Sequence, residues 1–444
     1  QVALNQSKHS KAMSALSIEN TPENAHQLLV KLKYWSELTN PYPQRHKIYS
    51  DEEIKVESKE LSRKDLTHLT CLAIDNSDSS DADDAISIDG DKLWIHIADV
   101  ASYVEIDSEL DIFAQKRASN LYLPDQILHM LPPELSSVCS LGGSEVSHAI
   151  SIGLKLDSSE ISDIEIHLSE IKVTNMSYEY ADRVINENAV LSKLKDIAIF
   201  HKAFRSDNGA IKLNLPNVDV KVKDQKVFIR PQEDSNSREL VAEMMVIAGR
   251  AIAQFSVENG ISMPYLTQDT GNFSKEVIEN IQNLTIAKAF EATKGFKRSK
   301  ISVKPSIHAG LGVSAYIRVT SPMRRYLDLL AQQQLVRFIN QLPTLNDSDV
   351  KEKIKVINTS MPKINKAIRQ SAEHFKCIYL KQYDDWEGEG IVVEINGDKS
   401  LVNIPSLAMM TQMKFKSKIN VEEKVELRVE SVNIFERSVN FRPS

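Results

Sequence analysis

The sequence predicts an α+β multidomain protein. It would have a helical N-terminal region, a large domain of mixed sheet and helices, and a small C-terminal β-barrel of the OB-fold type. Three observations carry this expectation. Apolar residues recur at helical spacing before a double-proline stop at Asn40-Pro41-Tyr42-Pro43. Strand and helix patterns then alternate through residues 66–382 without a clear break, and the last stretch, 383–444, is a series of short strand-like runs.

The 444 residues exceed what one compact core usually absorbs, so two or three domains are expected. A composition of 42% hydrophobic and 26% charged residues is that of a soluble globular chain. No run approaches the length of an apolar membrane span, and no membrane association is expected. Cys71, Cys139 and Cys377 are widely spaced, without a CxxC pair. That argues against a disulfide framework and a thiolate zinc site, and a reducing cytoplasm fits best. The net charge of −7 does not exclude nucleic-acid binding, because the field that matters is local. The chain opens on Gln1, so nothing is read from the lack of a signal peptide.

In chain order, residues 1–50 form the helical region, with Ala25–Leu32 its clearest periodic stretch. Residues 51–65 are strongly charged and read as a linker. Leu66–Asp75, Ala85–Ile88 and Lys92–Ala98 read as strands, the last two joined at the hairpin signal Asp89-Gly90. Helices are expected near 238–258, 275–290, 322–340 and 361–382. Beyond 383, Gly388–Ile395, Leu401–Ile404, Val425–Val429 and Ser438–Phe441 suit a small barrel, with a sandwich fragment the plainer alternative.

Two segments carry chemistry. The first holds Asp75, Asp78, Asp81, Asp83 and Asp84 directly after an apolar strand. Crowded carboxylates repel unless a cation joins them, and hard divalent ions such as Mg²⁺ prefer oxygen ligands. An EF-hand reading fails: counted from Asp75, Ser80 stands where Gly is required and Ile86 where Glu is required. A solvated acidic turn is the other reading that composition allows.

The second segment is Thr320-Ser321-Pro322-Met323-Arg324-Arg325-Tyr326-Leu327-Asp328. Ser321 is a good N-cap and Pro322 suits the first helical position, so a helix is expected to begin here with both arginines in its first turn. Cations are disfavoured at a helix N-terminus unless an anion binds, and a phosphate would accept backbone N–H groups and a guanidinium together. The alternative is an Arg324–Asp328 pair, worth only about 0.2–0.5 kcal/mol.

These segments resemble the RNase II (RNB) family of 3′→5′ exoribonucleases, in its branch with a helical N-terminal domain. The resemblance rests on the aspartate spacing, on Ile95–Val100 and on the Thr-Ser-Pro-x-Arg-Arg-Tyr block, covering roughly 66–382. It is supported by His308-Ala309-Gly310-Leu311-Gly312 and by Asn120–Pro124 with Met130–Pro132. It implies an RNB-type catalytic domain and Mg²⁺ bound by Asp75, Asp81 and Asp84. Asp83, Arg324 and Arg325 would be catalytic, with Arg324 gripping the scissile phosphate. Tyr122 would stack on the terminal base, and Glu243 and His308 would contact substrate. The implied partner is single-stranded RNA, cut by hydrolysis to nucleoside 5′-monophosphates, with the C-terminal barrel holding upstream RNA. A monomer with no required protein partner is expected. An RNA-binding scaffold of weak or no nuclease activity is the alternative.

Three positions depart from the family pattern. Pro264–Gln268 lacks a usual Arg, Gln332 stands where many members have His, and Ala367–Glu373 fits only loosely.

Overall fold

The computed structural model describes residues 1–49, 61–77, 79, 81–157, 160–211, 213, 215–232, 234–273 and 284–444. Its centre is a mixed sheet of seven described strands: β1 (Lys64–Asp65), β2 (Cys71–Asp75), β3 (Asp84–Asp89), β4 (Lys92–Ala98), β7 (Ser147–Asp157), β8 (Glu160–Ile171) and β9 (Val173–Ser177). They lie in the order β1-β8-β7-β4-β3-β2-β9. The short hairpin β5 (Leu121–Tyr122) and β6 (Ile127–Leu128) stands apart. The β3–β4 hairpin closes at Gly90, whose φ of +60° suits a residue without Cβ. The expected strand at 66–75 is shorter, starting at Cys71. Asp65 Oδ1 accepts from both Thr67 N and Thr67 Oγ1, and this local turn diverts the chain before β2. Lys64–Asp65, expected in the linker, instead pairs in parallel with Ser169–Glu170. Of the rest of the linker, residues 51–60 lie outside the described residues.

Helices cover this sheet. The short α1 (Lys11–Ala15), α2 (Pro22–Lys31) and α3 (Tyr42–Arg45) form the N-terminal region. Ser10 and Thr21 cap the first two with their side chains. α4 (Glu109–Arg117), α5 (Pro133–Cys139), α6 (Tyr178–Val184) and α7 (Ala189–Asp207) follow. α8 (Asn236–Glu258) is long and apolar enough to cross a membrane by length and composition, yet it packs in the core with most of its length buried. A Cβ on its Gly249 would stand 2.2 Å from the Tyr316 ring and 2.5 Å from Ile317 O. Only glycine lets the segment carrying Ile317 lie against this helix. Of the helix expected near 275–290, residues 275–283 lie outside the described residues, and α9 covers Ile286–Gly295.

α10 (Tyr326–Ile339) and α11 (Asp347–Gln382) complete the layer. The sequence placed the last long helix at 361–382. The helix starts earlier, at a capping box formed by Asn346 and Asp349, and runs through Pro362. Val350, Ile354 and Ile357 bury its first turns against the catalytic-domain core.

A hairpin, β10 (Val218–Lys223) with β11 (Lys226–Pro231), and the pair β12 (Tyr265–Thr267) with β13 (Lys300–Ser302) lie outside the main sheet. The C-terminal sheet runs β16-β15-β14-β17-β18, comprising Glu387–Asn396 (β14), Lys399–Ile404 (β15), Met409–Met413 (β16), Lys424–Asn433 (β17) and Ser438–Pro443 (β18). Bulges between Val392 and Glu394 and between Val429 and Ser431 curl it until its outer strands meet, giving the nearly closed barrel of an OB-fold.

Three regions meet at buried histidines. His26 from α2 stacks among Trp35, His374 and Phe435, and His374 lies between Glu37 O and Ile434 O. Burial pushes His26 down to about 3 and His374 to about 4; burial likewise holds His96, within the sheet, at about 3. The unfolded chain takes up these protons near pH 6.5, so it binds more protons than the folded chain below that pH. Their stabilisation is complete above pH 6.5 and is lost as pH falls toward 4. The expected slope is about 1.4 kcal/mol per pH unit for each histidine. Urea unfolding midpoints from pH 7 to 4 measure it, and His96→Asn should flatten the slope by about one proton's worth. A slope identical in this variant would show that His96 is not among the groups responsible.

Candidate active site

Two sequence-distant segments build the site. Residues 118–122 and 321–326 are stitched together: Asn120 N donates to Arg324 O at 3.0 Å, Tyr326 N to Ala118 O at 2.9 Å, and Ser119 bridges Arg325. These bonds hold Arg325 extended, at φ −142° and ψ 123°, so α10 starts at Tyr326 rather than Pro322. The arginines therefore lie in a turn before the helix, not in its first turn. Ser321 is not the cap; its N–H donates to Asp328 Oδ1 at 3.0 Å.

The aspartates sit opposite. Asp75 ends β2, Asp84 begins β3, and Asp83 is fixed by its carbonyl accepting Ala98 N at 2.8 Å. Asp75, Asp83, Asp84, Arg324 and Arg325 line one pocket of about 280 Å³, together with Tyr178. Asp81 is not among the residues that line it. The Ser79 hydroxyl lies 2.7 Å from Asp75 Oδ2 and 3.3 Å from Asp81 Oδ1, linking the two carboxylates. Asp78 lies outside the described residues.

The charges divide clearly. Arg324 Nε meets Asp83 Oδ2 at 2.7 Å. Arg325 is committed elsewhere, gripping Asp328 with contacts of 2.9 and 2.6 Å. The pair formed with Asp328 is thus made by Arg325, three residues away, not by Arg324. Burial pushes Asp83 up to about 7 despite Arg324, with Asp84 adding to the rise. Burial pushes Asp84 to about 6, opposed by Arg324 and assisted by Asp75. Burial would lower the Arg324 guanidinium, but Asp83, Tyr122 and Asp84 outweigh it and hold it above its ordinary value. One guanidinium, already paired with Asp83, does not offset this many carboxylates, so the donor set fits a hard cation. Among the described residues, however, no three acidic, histidine or cysteine side chains converge on one point.

The remaining expected positions separate. Tyr122 is half-exposed on β5, and burial raises its hydroxyl above the usual tyrosine range, opposed by Arg324 and assisted by Asp81 and Asp83. Glu243 is buried and saturated: His201 Nδ1 lies 2.7 Å from Oε2, and Arg205 binds both carboxylate oxygens. Arg205 also donates to Leu311 O at 3.0 Å, so Glu243 anchors the 308–312 loop through it. Glu243 still borders a second pocket of about 500 Å³. His308 is buried, accepts from Leu311 N, and borders neither pocket. Gln332 is fully buried and bridges strand ends, donating to Ala98 O at 2.9 Å and accepting from Val100 N at 3.3 Å.

Sequence reasoning missed Tyr178, which borders the catalytic pocket from the start of α6, just past β9. The capping Ser177 was the available signal for a helix there. It also missed Arg205, for which an arginine on a periodic helix gives no signal.

A cleft of carboxylates facing an arginine turn, in a chain that also carries an OB-type barrel, fits the class of nucleic-acid-processing enzymes. The RNB domain matches residues 63–341 and a double HTH domain matches residues 1–41, so the chain belongs to the RNB family. It is 28% identical to an uncharacterized ribonuclease of Synechocystis, over 98% of this chain and 70% of that protein. It is 30% identical to ribonuclease R of Chlamydia pneumoniae over 62% of this chain, and spans 47% of that relative's length. Among solved structures, Mycoplasma genitalium RNase R in complex with ribose-methylated single-stranded RNA superposes with a TM-score of 0.80, at 18% identity, over 94% of this chain and 78% of that one. Yeast Ssd1, a pseudonuclease, superposes with a TM-score of 0.70 at 17% identity, over 85% of this chain and 55% of that one.

Proposed function

We propose that this protein is a Mg²⁺-dependent exoribonuclease that shortens single-stranded RNA from its 3′ end by hydrolysis, releasing nucleoside 5′-monophosphates. The observation that carries this reading is the pocket in which Arg324, 2.7 Å from buried Asp83, faces Asp75 and Asp84. Asp75, Asp81 and Asp84 would hold the ion, whose chemistry when bound is activation of water and stabilisation of the leaving 3′ oxygen. Arg324 contacts the scissile phosphate and neutralises charge that develops on it. Asp83 aims that guanidinium and stands beside the attacking water. Arg325, locked to Asp328, shapes the turn that carries Arg324 rather than touching the reacting atoms. Tyr122 stacks on a base without regard to its identity. Buried, unpaired Cys71, Cys139 and Cys377 support a reducing compartment such as the cytoplasm. The protein works on RNA as a monomer.

A second reading, an RNA-binding scaffold without nuclease activity, is favoured by the lack of three converging ligands among the described residues. One assay separates them. With 5′-labelled single-stranded RNA and magnesium, progressive loss from the 3′ end is expected, abolished by chelator. RNA that is bound but never shortened would establish the scaffold, and internal cuts without 3′ loss would remove the exonuclease direction alone.

A further inference from the structure

Beyond the catalytic pocket, past Tyr178, lie two more cavities. The 500 Å³ pocket and an open cleft of about 990 Å³ both include Tyr178 and Arg238 in their walls. Tyr178 is therefore common to all three spaces, and Arg238 is the first cation beyond it. The Arg238 guanidinium stacks on the Tyr178 ring, 4.1 Å from its centroid. One Nη donates to Asn76 Oδ1 at 2.6 Å, and Asn76 is the neighbour of Asp75.

Two of the nearby cations are paired, whereas Arg230 and Arg238, which border the open cleft, form no ion pair among the described residues. Lys202 pairs with Glu239 at 2.5 Å and Arg205 with Glu243. Arg238 forms no ion pair among the described residues, although Glu179, Asp182 and Asp234 border the same cleft. It also stands in the first turn of α8, where the helix field opposes a cation. A stacked, pre-oriented guanidinium with no ion pair, held against that field, is placed to receive an anion. Its planar fork matches a phosphate. The adjoining aromatic face of Tyr178 suits a nucleoside.

We propose that Arg238 contacts a nucleotide phosphate on the side of Tyr178 away from Arg324. The ligand is a phosphate either of the RNA strand or of the released monophosphate. This rests on the nuclease reading for its substrate class but is tested without turnover. Binding of labelled single-stranded RNA is measured in chelator at several salt concentrations for the unmodified protein, Arg238→Gln and Arg238→Lys. Titration calorimetry measures nucleoside 5′-monophosphate binding to the same three. If the phosphate belongs to the strand, Arg238→Gln weakens RNA binding about tenfold and reduces the salt slope by about 0.7, while Arg238→Lys keeps the slope. If it belongs to the product, Arg238→Gln weakens monophosphate binding about tenfold and leaves RNA binding intact. The proposal is overturned if Arg238→Gln leaves both affinities within twofold. It is equally overturned if Gln and Lys lose RNA affinity alike with the slope unchanged, which a purely structural tie to Asn76 would produce. Failure of the nuclease reading appears separately, as unshortened RNA with magnesium present.

Discussion

Asp83→Asn is expected to slow RNA shortening by about 10³-fold while RNA binding in chelator is preserved. Asp83 is only 5% exposed, and its carboxylate orients Arg324 through a 2.7 Å contact. Asparagine keeps the volume and an oxygen to accept from Met323 N, which lies 3.4 Å from Oδ1. What it removes is the charge that aims the guanidinium. Because burial already pushes Asp83 to about 7, neutralising it removes a charge that the interior resists. The unfolding midpoint should therefore hold or rise. Single-turnover rates on 5′-labelled RNA decide the matter, and a variant within tenfold of the unmodified rate removes Asp83 from the catalytic machinery.

Asp111→Ala should produce the largest loss of stability, on the order of 3–5 kcal/mol. Asp111 is fully buried and accepts from Tyr326 Oη at 3.1 Å, Gln333 Nε2 at 2.9 Å, Lys353 Nζ at 3.0 Å and Asp107 N at 2.9 Å. Alanine strands the buried Tyr326 hydroxyl and leaves Lys353 with Asp107 and the Gln333 amide with Val104 O as their remaining partners. The network joins α4, α10 and α11, and Tyr326 directly follows the arginine turn. Activity should fall too, through loss of Arg324 placement, whereas Asp111→Asn should lose less of both. Urea unfolding followed by tryptophan fluorescence measures the change. A loss under about 1 kcal/mol would mean that water replaces the carboxylate and the hub is dispensable.

The aspartate segment and the arginine segment were both visible as chemistry in the chain, because each violates ordinary charge rules locally. The pattern also marked the hairpin at Gly90, the helix at 236–258 and the short strands of the barrel. It misplaced the start of α10, since Ser321-Pro322 is a good local helix start that long-range bonds to residues 118–120 override. Gln332 looked like a functional departure. Its burial between Ala98 and Val100 explains it as a packing choice, because an amide both donates and accepts there.

The sequence by itself determined which residue types could meet an anion or a cation: charge, caps and periodicity are local properties written along the chain. Which of them meet was decided only by the tertiary structure. Arg324 went to Asp83 and Arg325 to Asp328, Glu243 was absorbed by Arg205 and His201, and Arg238 went to Asn76 and the Tyr178 ring rather than to a carboxylate. The reason is physical. A buried charge takes the partner that three-dimensional packing brings within hydrogen-bond reach, and that partner is commonly tens to hundreds of residues away in sequence.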